Sequence, residues 1–223
     1  EEEEEEEEEE GKEGDADAAG VASSCSTYTS FMNRSLDILD LGCGTGLAGS
    51  WLKDYAKTLT GVDLNPTMLA VAQKKGLYDK LHEAPVMDFL QELQSQQQTQ
   101  QQQQQQAQVD YDVVVSADLF AYMGELQPVF QQIATVMRSE GLFVFTVESV
   151  DNEASSPETS AAQLAPNGFR LLKSGRFGYT REYLDKLVAS LGPSYETLLA
   201  RDYSPRLENG EPTKGYLYIV QRN

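Results

Sequence analysis

The chain has 223 residues, which is long enough for one domain with a buried core and too short for two ordinary domains once its low-complexity stretches are set aside. Its formal net charge of −19 is concentrated at one end, because residues 1–17 carry a net charge of −12 and the remainder only −7. The remainder has no basic excess, which argues against a nucleic-acid partner.

The cysteine content and the hydropathy of the chain limit the cellular compartments in which we expect it. Cys25 and Cys43 are the two cysteines, too few for a disulfide framework or a cysteine-based metal site, so we expect no metal and a reducing compartment such as the cytoplasm or an organelle. No apolar run approaches the ~20 residues of a membrane span, so no membrane contact is expected. The chain begins with Glu1, and we expect it to be a fragment or a processed form.

Two stretches of biased composition set the domain boundaries. Residues 1–27 are dominated by glutamate and small residues, and we predict a disordered acidic tail because like charges repel and little apolar surface is available. Residues 28–223 are predicted to form the domain. Within it, residues 94–108 contain twelve glutamines, and we predict a disordered insertion at a surface loop.

Strands alternate with helices along the rest of the chain, which predicts an α/β fold. We expect a Rossmann-like, seven-stranded, mostly parallel sheet with helices on both faces and a C-terminal antiparallel strand pair. The predicted strands are 36–41, 59–63, 81–84, 111–118, 142–147, 195–203 and 214–221. The predicted helices are 47–57, 66–75, 88–93, 126–137 and 180–191, and a small hairpin is expected over 169–179. Helix 47–57 is expected to bury Leu47, Trp51, Leu52 and Tyr55.

The most informative stretch runs from Leu36 to Gly49, where an apolar strand passes into a turn containing Gly42, Gly44 and Gly46. Glycine suits such a turn because positive φ is open to it and the missing Cβ lets backbone N–H groups approach a ligand. Asp63 ends the next predicted strand, 21 residues after Gly42. A glycine turn followed by a carboxylate at this spacing is typical of a site for an adenosine-containing cofactor. The carboxylate accepts hydrogen bonds from the two ribose hydroxyls of such a cofactor.

The glycines alone leave two cofactor classes open. Residues 44–49 formally match the G-x-G-x-x-G pattern of NAD and FAD binders, so a nicotinamide oxidoreductase is one hypothesis. Two features argue against it. Asp40 lies just before the first glycine, where it would repel a pyrophosphate but can meet a cationic amino group. The expected antiparallel pair at the C-terminus is also not part of the usual dinucleotide domain.

Four ordered stretches carry a resemblance to a known family. Residues 38–46, Ile-Leu-Asp-Leu-Gly-Cys-Gly-Thr-Gly, resemble motif I of class I S-adenosylmethionine (SAM) methyltransferases, and residues 61–69, 112–124 and 141–148 are similar to later motifs of the same family. The match looks closest to the small bacterial-type methyltransferases often fused to TPR repeats, although no TPR pattern is present. The resemblance spans about residues 36–222 and implies a methyl transfer from SAM to a small-molecule or protein acceptor.

The resemblance also implies which residues bind the cofactor. Asp40, Gly42 and Gly44 are expected at the methionine end, Asp63 at the ribose, and Leu64 and Met68 at the adenine. Ser116 and Ala117 are expected beside the transferring methyl group. The predicted cofactor-binding set is completed by Cys43, Gly46 and Asp88. Asp118 and Tyr122 are candidates for assisting a proton transfer from a hydroxyl or carboxyl acceptor.

Two departures from the family pattern keep an alternative open. Pro85 stands where the family usually has an aspartate that hydrogen-bonds adenine, so we expect either that Asp88 or a backbone carbonyl replaces it or that SAM binds more weakly. The amino-terminal segment that covers the cofactor in the family is reduced here to Tyr28–Arg34. The alternative is a non-catalytic, methyltransferase-like domain that binds SAM or a partner. Neither the acceptor nor the oligomeric state follows from the sequence.

Overall fold

The computed structural model describes residues 35–102, 110–153, 165, 167–208 and 210–223. The strands in these ranges are β1 Leu36–Leu41, β2 Ala56–Asp63, β3 Lys80–Glu83, β4 Tyr111–Ser116, β5 Met137–Ser149, β6 Phe169–Leu171, β7 Phe177–Tyr179, β8 Tyr195–Tyr203, β9 Leu207–Glu208, β10 Glu211–Pro212 and β11 Gly215–Arg222. The helices are α1 Gly49–Leu52, α2 Pro66–Lys75, α3 Val86–Gln102, α4 Gln127–Val136 and α5 Arg181–Ala189. The predicted acidic tail lies outside the described residues.

The main sheet has the strand order β3-β2-β1-β4-β5-β11-β8. The first five strands are parallel, and β11 runs antiparallel to both β5 and β8. The β6–β7 hairpin joins the end of β5. The predicted α/β fold, with its mostly parallel seven-stranded sheet and C-terminal antiparallel pair, is confirmed, and the hairpin adds two short strands to it.

Local sequence signals explain several element boundaries. Pro66 opens α2, and the side chain of Asn65 caps it by accepting hydrogen bonds from two backbone N–H groups of the first turn. Gly76 ends α2 in the left-handed conformation, with a φ of 64°. Thr180 caps α5 through its hydroxyl, which accepts a hydrogen bond from the N–H of Tyr183. These helix boundaries agree with the sequence predictions.

The first predicted helix is wrong in length and in burial. Only Gly49–Leu52 is helical, and β2 already begins at Ala56. Leu47 and Trp51 are 73% and 77% exposed instead of buried, and Tyr55 is also exposed. Gly46 precedes this turn and Gly49 is its first residue, and glycine weakens a helix. Both Leu47 and Trp51 line a cavity instead of packing in the core.

The helix after β3 is longer than predicted. It starts at Val86 and continues to Gln102, so it includes residues 94–102 of the glutamine-rich stretch that we predicted to be disordered. Glutamine is a good helix former, and the side chain of Gln96 donates a hydrogen bond to Glu92 one turn earlier. The rest of the glutamine-rich stretch, residues 103–108, lies outside the described residues.

Side chains on the two faces of the sheet form two separate apolar clusters. The larger cluster packs sheet residues such as Leu39 and Leu41 against α3, α4 and α5. The smaller one contains Leu36 and Ile38, with Tyr78 packed against it. Neighbouring residues of β1 therefore alternate between the two faces, as the strand period of two requires.

A charged cluster joins three strands at the edge of the sheet where the parallel strands begin. Arg138 of β5 donates hydrogen bonds to Asp37 of β1, at 2.7 Å, and to Asp112 of β4, at 2.6 Å. Burial would raise the pKa of Asp37, but hydrogen bonds from Thr58 and Arg138 outweigh it and leave the pKa lowered. This cluster links β1, β4 and β5 at the amino ends of the parallel strands, opposite their carboxyl ends.

Candidate functional site

A cavity of about 970 Å³ lies at the carboxyl ends of the parallel strands. Segments that follow β1, β2, β3 and β4 all contribute to its wall, and its centre lies between β1 and β4, where the strand order reverses direction. Ligands bind at such switch points in open α/β sheets. The lining residues are Asp40, Gly42–Thr45, Leu47, Ala48, Trp51, Asp63–Asn65, Met68, Ala84–Met87, Ala117–Leu119, Tyr122, Met123, Thr146, Tyr203 and Pro205.

The turn after β1 needs its glycines for two reasons. Gly42 and Gly44 have φ values of +72° and +52°, which disfavour other residues. A Cβ added at Gly42 would lie 2.9 Å from the Cβ of Leu119, which follows β4. The turn is also held to β2, because the N–H groups of Gly42 and Cys43 donate to the carbonyl of Val62 at 2.8 and 3.0 Å.

Asp63 connects this turn to the end of β2. One carboxylate oxygen accepts a hydrogen bond from the N–H of Gly44, and the other accepts one from the N–H of Asn65, both at 2.8 Å. These bonds leave further lone pairs of the carboxylate for a ligand. Asp63 therefore shapes the glycine turn and presents a charged acceptor to the cavity.

Asp40 is the buried charge of the site, with only 1% of its surface exposed. Its carboxylate accepts a hydrogen bond of 2.6 Å from the hydroxyl of Tyr78. The pKa of Asp40 is raised to about 6, because burial and, to a smaller extent, the nearby Asp63 raise it more than the Tyr78 hydrogen bond lowers it. A cationic group placed against Asp40 would stabilise its ionised form.

Cys43 lines the cavity as a protonated thiol. Burial, together with the charges of Asp40 and Asp63, raises the pKa of Cys43 to about 12. Because the thiolate is the nucleophilic form of cysteine, this side chain is a poor nucleophile near neutral pH. Its contribution to the site is the shape of the turn.

Apolar side chains form one side of the cavity. Leu64 follows β2, Met68 lies in the first turn of α2, and Val86 and Met87 line the cavity from the start of α3. Leu64 is 67% exposed, so a large apolar surface is open here. A flat heterocycle such as adenine fits between apolar walls of this kind.

Three residues of the predicted cofactor set lie outside the cavity lining. Gly46 instead leaves room for the ring of Tyr78, which lies 3.0 Å from the position of an added Cβ. Ser116 is fully buried at the end of β4. Asp88 is exposed in the first turn of α3, where its charge is favoured by the helix dipole and by water, and its role as the replacement for the missing adenine-binding aspartate stays a prediction. Residues 84–87 face the cavity at that place instead.

Asp118 and Tyr122, which follow β4 in the chain, both line the cavity. Asp118 has a φ of +64°, and its N–H donates a 3.1 Å hydrogen bond to the hydroxyl of Thr146. A left-handed conformation is uncommon for a residue with a side chain and often marks a functional position. Tyr122 is exposed, and the guanidinium of Arg176 lies 5.9 Å from the centre of its ring.

Two arginines behind this side of the cavity share one buried carboxylate. Glu148 is 1% exposed and pairs with Arg206 and, at 3.8 Å, with Arg176. Arg206 also lies 3.7 Å from Asp118. These contacts hold Pro205 and Tyr203, at the end of β8, against the cavity.

Sequence reasoning missed three groups of site residues. Leu47 and Trp51 were assigned to the core, and a helical apolar pattern cannot distinguish core from a ligand-facing wall. Tyr203 and Pro205 come from the far end of the chain and carry no local motif. The role of Tyr78 could have been suspected only from the unusual number of glycines around it.

The fold is similar to that of solved SAM-dependent methyltransferases. A putative enzyme of this class from Listeria monocytogenes superposes with a TM-score of 0.61 at 18% identity, covering 86% of this chain and 93% of that one. One from Mesorhizobium loti gives a TM-score of 0.62 at 19% identity, covering 91% and 99%. At these identities the likeness concerns the fold.

Sequence comparison adds the class of the domain. Residues 39–143 match the family model described as a methyltransferase domain. A probable SAM-dependent methyltransferase from Saccharomyces cerevisiae is 27% identical over 151 residues, which is 68% of this chain and 45% of that protein. The chain spans less than half the length of the curated relatives it matches. Residues 39–143 are therefore similar to a methyltransferase domain, and SAM is the cofactor for which the matched relative and the solved structures are named. The comparisons name no TPR fusion, so that finer resemblance stays a prediction.

Two further observations concern membranes and metals. Among the helices in the described ranges, none is both long and apolar enough to cross a membrane. The same residues contain no group of three His, Cys, Asp or Glu side chains positioned to hold a metal ion.

Proposed function

We propose that this chain catalyses methyl transfer from SAM to a small-molecule acceptor. The observation that carries the proposal is the meeting of Asp40, Asp63 and the glycine turn in one cavity, at the switch point of a fold shared with SAM-dependent methyltransferases.

The residues present fit the chemical groups of SAM. Asp40 is a buried carboxylate that suits the ammonium group of the methionine end. Asp63 suits the two ribose hydroxyls, since its carboxylate retains free lone pairs. Leu64, Met68 and Met87 provide the apolar slot for adenine.

The transfer is a displacement in which an acceptor atom forms a bond to the methyl carbon, while the bond from that carbon to sulfur breaks and its electron pair stays on sulfur. Bound SAM supplies the electrophilic methyl group. The chain has to hold the acceptor in line and exclude water, which needs little acid–base chemistry. For a hydroxyl acceptor, we assign to Asp118 the acceptance of the proton and to Tyr122 the shaping of the acceptor side.

The charges of the cavity wall favour an acceptor that is not anionic. The ionisable acids along the described wall are Asp40, Asp63 and Asp118, and no Lys, Arg or His lines it. Arg176 and Arg206 both pair with the buried Glu148, and Arg206 also pairs with Asp118 of the wall at 3.7 Å. A carboxylate acceptor would therefore meet no unpaired cation on the described wall, whereas the aromatic rings of Trp51, Tyr122 and Tyr203 favour a flat apolar body.

Cofactor binding can be followed through Trp51, the only tryptophan of the sequence. Trp51 lines the cavity and is exposed, so its fluorescence is expected to change with saturation when SAM is added. Calorimetry on the same protein should give the same affinity, and Trp51→Phe serves as the optical blank. Absence of binding at millimolar SAM by both methods would contradict the proposed function. Transfer of a labelled methyl group from SAM into extract fractions would exclude the non-catalytic alternative.

A matched series of phenols tests the acceptor class. With S-adenosylhomocysteine bound, neutral 4-ethylphenol and cationic tyramine are expected to bind at least about tenfold more tightly than anionic 4-hydroxyphenylacetate, because the cavity wall carries carboxylates. Titration of each phenol into this complex, followed by Trp51 fluorescence, gives the three affinities. Equal or tighter binding of the acid would contradict the charge argument, and no binding of any of the three would contradict an aromatic subsite.

A further inference from the structure

One side chain touches the cofactor site from behind without lining it. The ring of Tyr78 lies between the strand β2 and the turn after β1, and it is absent from the cavity wall. Its hydroxyl donates a 2.6 Å hydrogen bond to Asp40, across 38 residues of sequence. Tyr78 therefore reaches the cofactor site only through Asp40.

The sequence makes room for this ring with three glycines. A Cβ added at Gly46 would lie 3.0 Å from the ring of Tyr78, and one at Gly61 would lie 2.8 Å from it. A Cβ at Gly49 would come closer still. Because these distances are shorter than ordinary contacts, the ring fills a slot that other residues would close. The position of the hydroxyl is thus fixed by packing on three sides.

The surroundings of Asp40 determine how strongly the hydrogen bond from Tyr78 affects its ionisation. Asp63 at the end of β2 and the thiol of Cys43 are the other titratable groups facing Asp40. On the other side, Asp40 is level with Val115 of β4, which carries no charge. Within the described residues no cation pairs with Asp40, so the Tyr78 hydroxyl is the side-chain donor that supports its ionised form.

We propose that Tyr78 is a positioning residue of the cofactor site, which holds the Asp40 carboxylate oriented and ionised for the ammonium group at the methionine end of SAM. The proposal rests on the proposed function. A ligand that lacks the amino-acid end has no contact with Asp40, and its binding is independent of Tyr78.

The sign of the pH effect follows from the contacts. Burial and Asp63 raise the pKa of Asp40, and the Tyr78 hydrogen bond lowers it. The ammonium group binds the ionised carboxylate, so affinity is lost as the pH falls through about 6. Removing the hydroxyl raises the pKa further, and the loss of affinity then begins at a higher pH.

The test compares Tyr78→Phe, which keeps the ring, with the wild type. Affinities for S-adenosylhomocysteine and for adenosine are measured between about pH 5 and about pH 7.5, a range in which an α-amino group stays mostly protonated. We expect the pH midpoint for S-adenosylhomocysteine to rise by about one pH unit in the variant, with an affinity loss of up to about tenfold near pH 6.5. Adenosine should bind both proteins alike at each pH.

Tyr218→Phe is the matched control, because Tyr218 donates a similar 2.7 Å hydrogen bond to Asp185 away from the cavity. It should reproduce the wild-type profile. A Tyr78→Phe profile identical to that of the wild type, or an equal loss for both ligands at every pH, would overturn the proposal. If Tyr78→Phe does not fold, Asp40→Asn replaces it in the test. Binding of S-adenosylhomocysteine to Asp40→Asn with the pH dependence of the wild type would also overturn the proposal. Failure of the wild type to bind either ligand would instead remove the proposed function.

Discussion

Asp63→Ala is expected to lower the affinity for SAM by at least about 100-fold. The carboxylate is proposed to accept hydrogen bonds from both ribose hydroxyls, and hydrogen bonds to a charged group contribute about 1.5–3 kcal/mol each. The same change removes the acceptor for the N–H groups of Gly44 and Asn65, so the glycine turn also loses its link to β2. Calorimetric titration with SAM measures the effect.

The control for this change is Asp79→Ala. Asp79 also accepts a backbone hydrogen bond of 2.8 Å, from Leu59, and pairs with Lys53, but it lies outside the cavity wall. Its removal should alter stability without changing the affinity for SAM. Unchanged SAM affinity in Asp63→Ala would show that the ribose is held elsewhere and would remove the central residue of the proposed site.

Gly42→Ala should have an effect of similar size on the cofactor. The added Cβ would meet the side chain of Leu119, and the φ of +72° disfavours any L-residue. Since β1 and β4 are paired neighbours, the turn has to shift into the cavity. We expect a loss of SAM affinity of about 100-fold and a fall in the free energy of unfolding of about 2 kcal/mol.

Gly175→Ala separates the backbone effect from the steric one. Gly175 has a φ of +80°, but no atom lies within 4 Å of an added Cβ, and the residue is part of the β6–β7 turn. This variant should lose about 1 kcal/mol of stability and retain its SAM affinity. If Gly42→Ala behaves in the same way, the contact with Leu119 does not shape the site.

The sequence predicted that the glycine turn and Asp63 meet in one site because each of the two is coded locally. Gly42 and Gly44 interrupt an apolar strand, and Asp63 ends the next one, so parallel pairing of β1 and β2 brings them together without any further information. Helix α2 was predicted for the same reason, since Asn65 and Pro66 mark its start.

The parts that were not predicted depend on contacts between distant segments. Apolar residues at helical spacing predicted burial of Trp51, yet Trp51 faces a cavity that forms only when four strand ends meet. Tyr203 reaches the same cavity because β11 places β8 at the sheet edge. Asp88 was predicted from a motif that Pro85 interrupts, and the early start of α3 points it to solvent.

Helix α3 lies in the connection between β3 and β4, and its position explains how this connection can change in length. It begins at the cavity with Val86 and extends for about 25 Å, ending within the glutamine-rich stretch before the chain returns to β4 at Tyr111. Extra residues in such a connection cost little free energy and leave the register of β3 and β4 untouched. Variation in the number of glutamines is thereby kept apart from the geometry of the cavity.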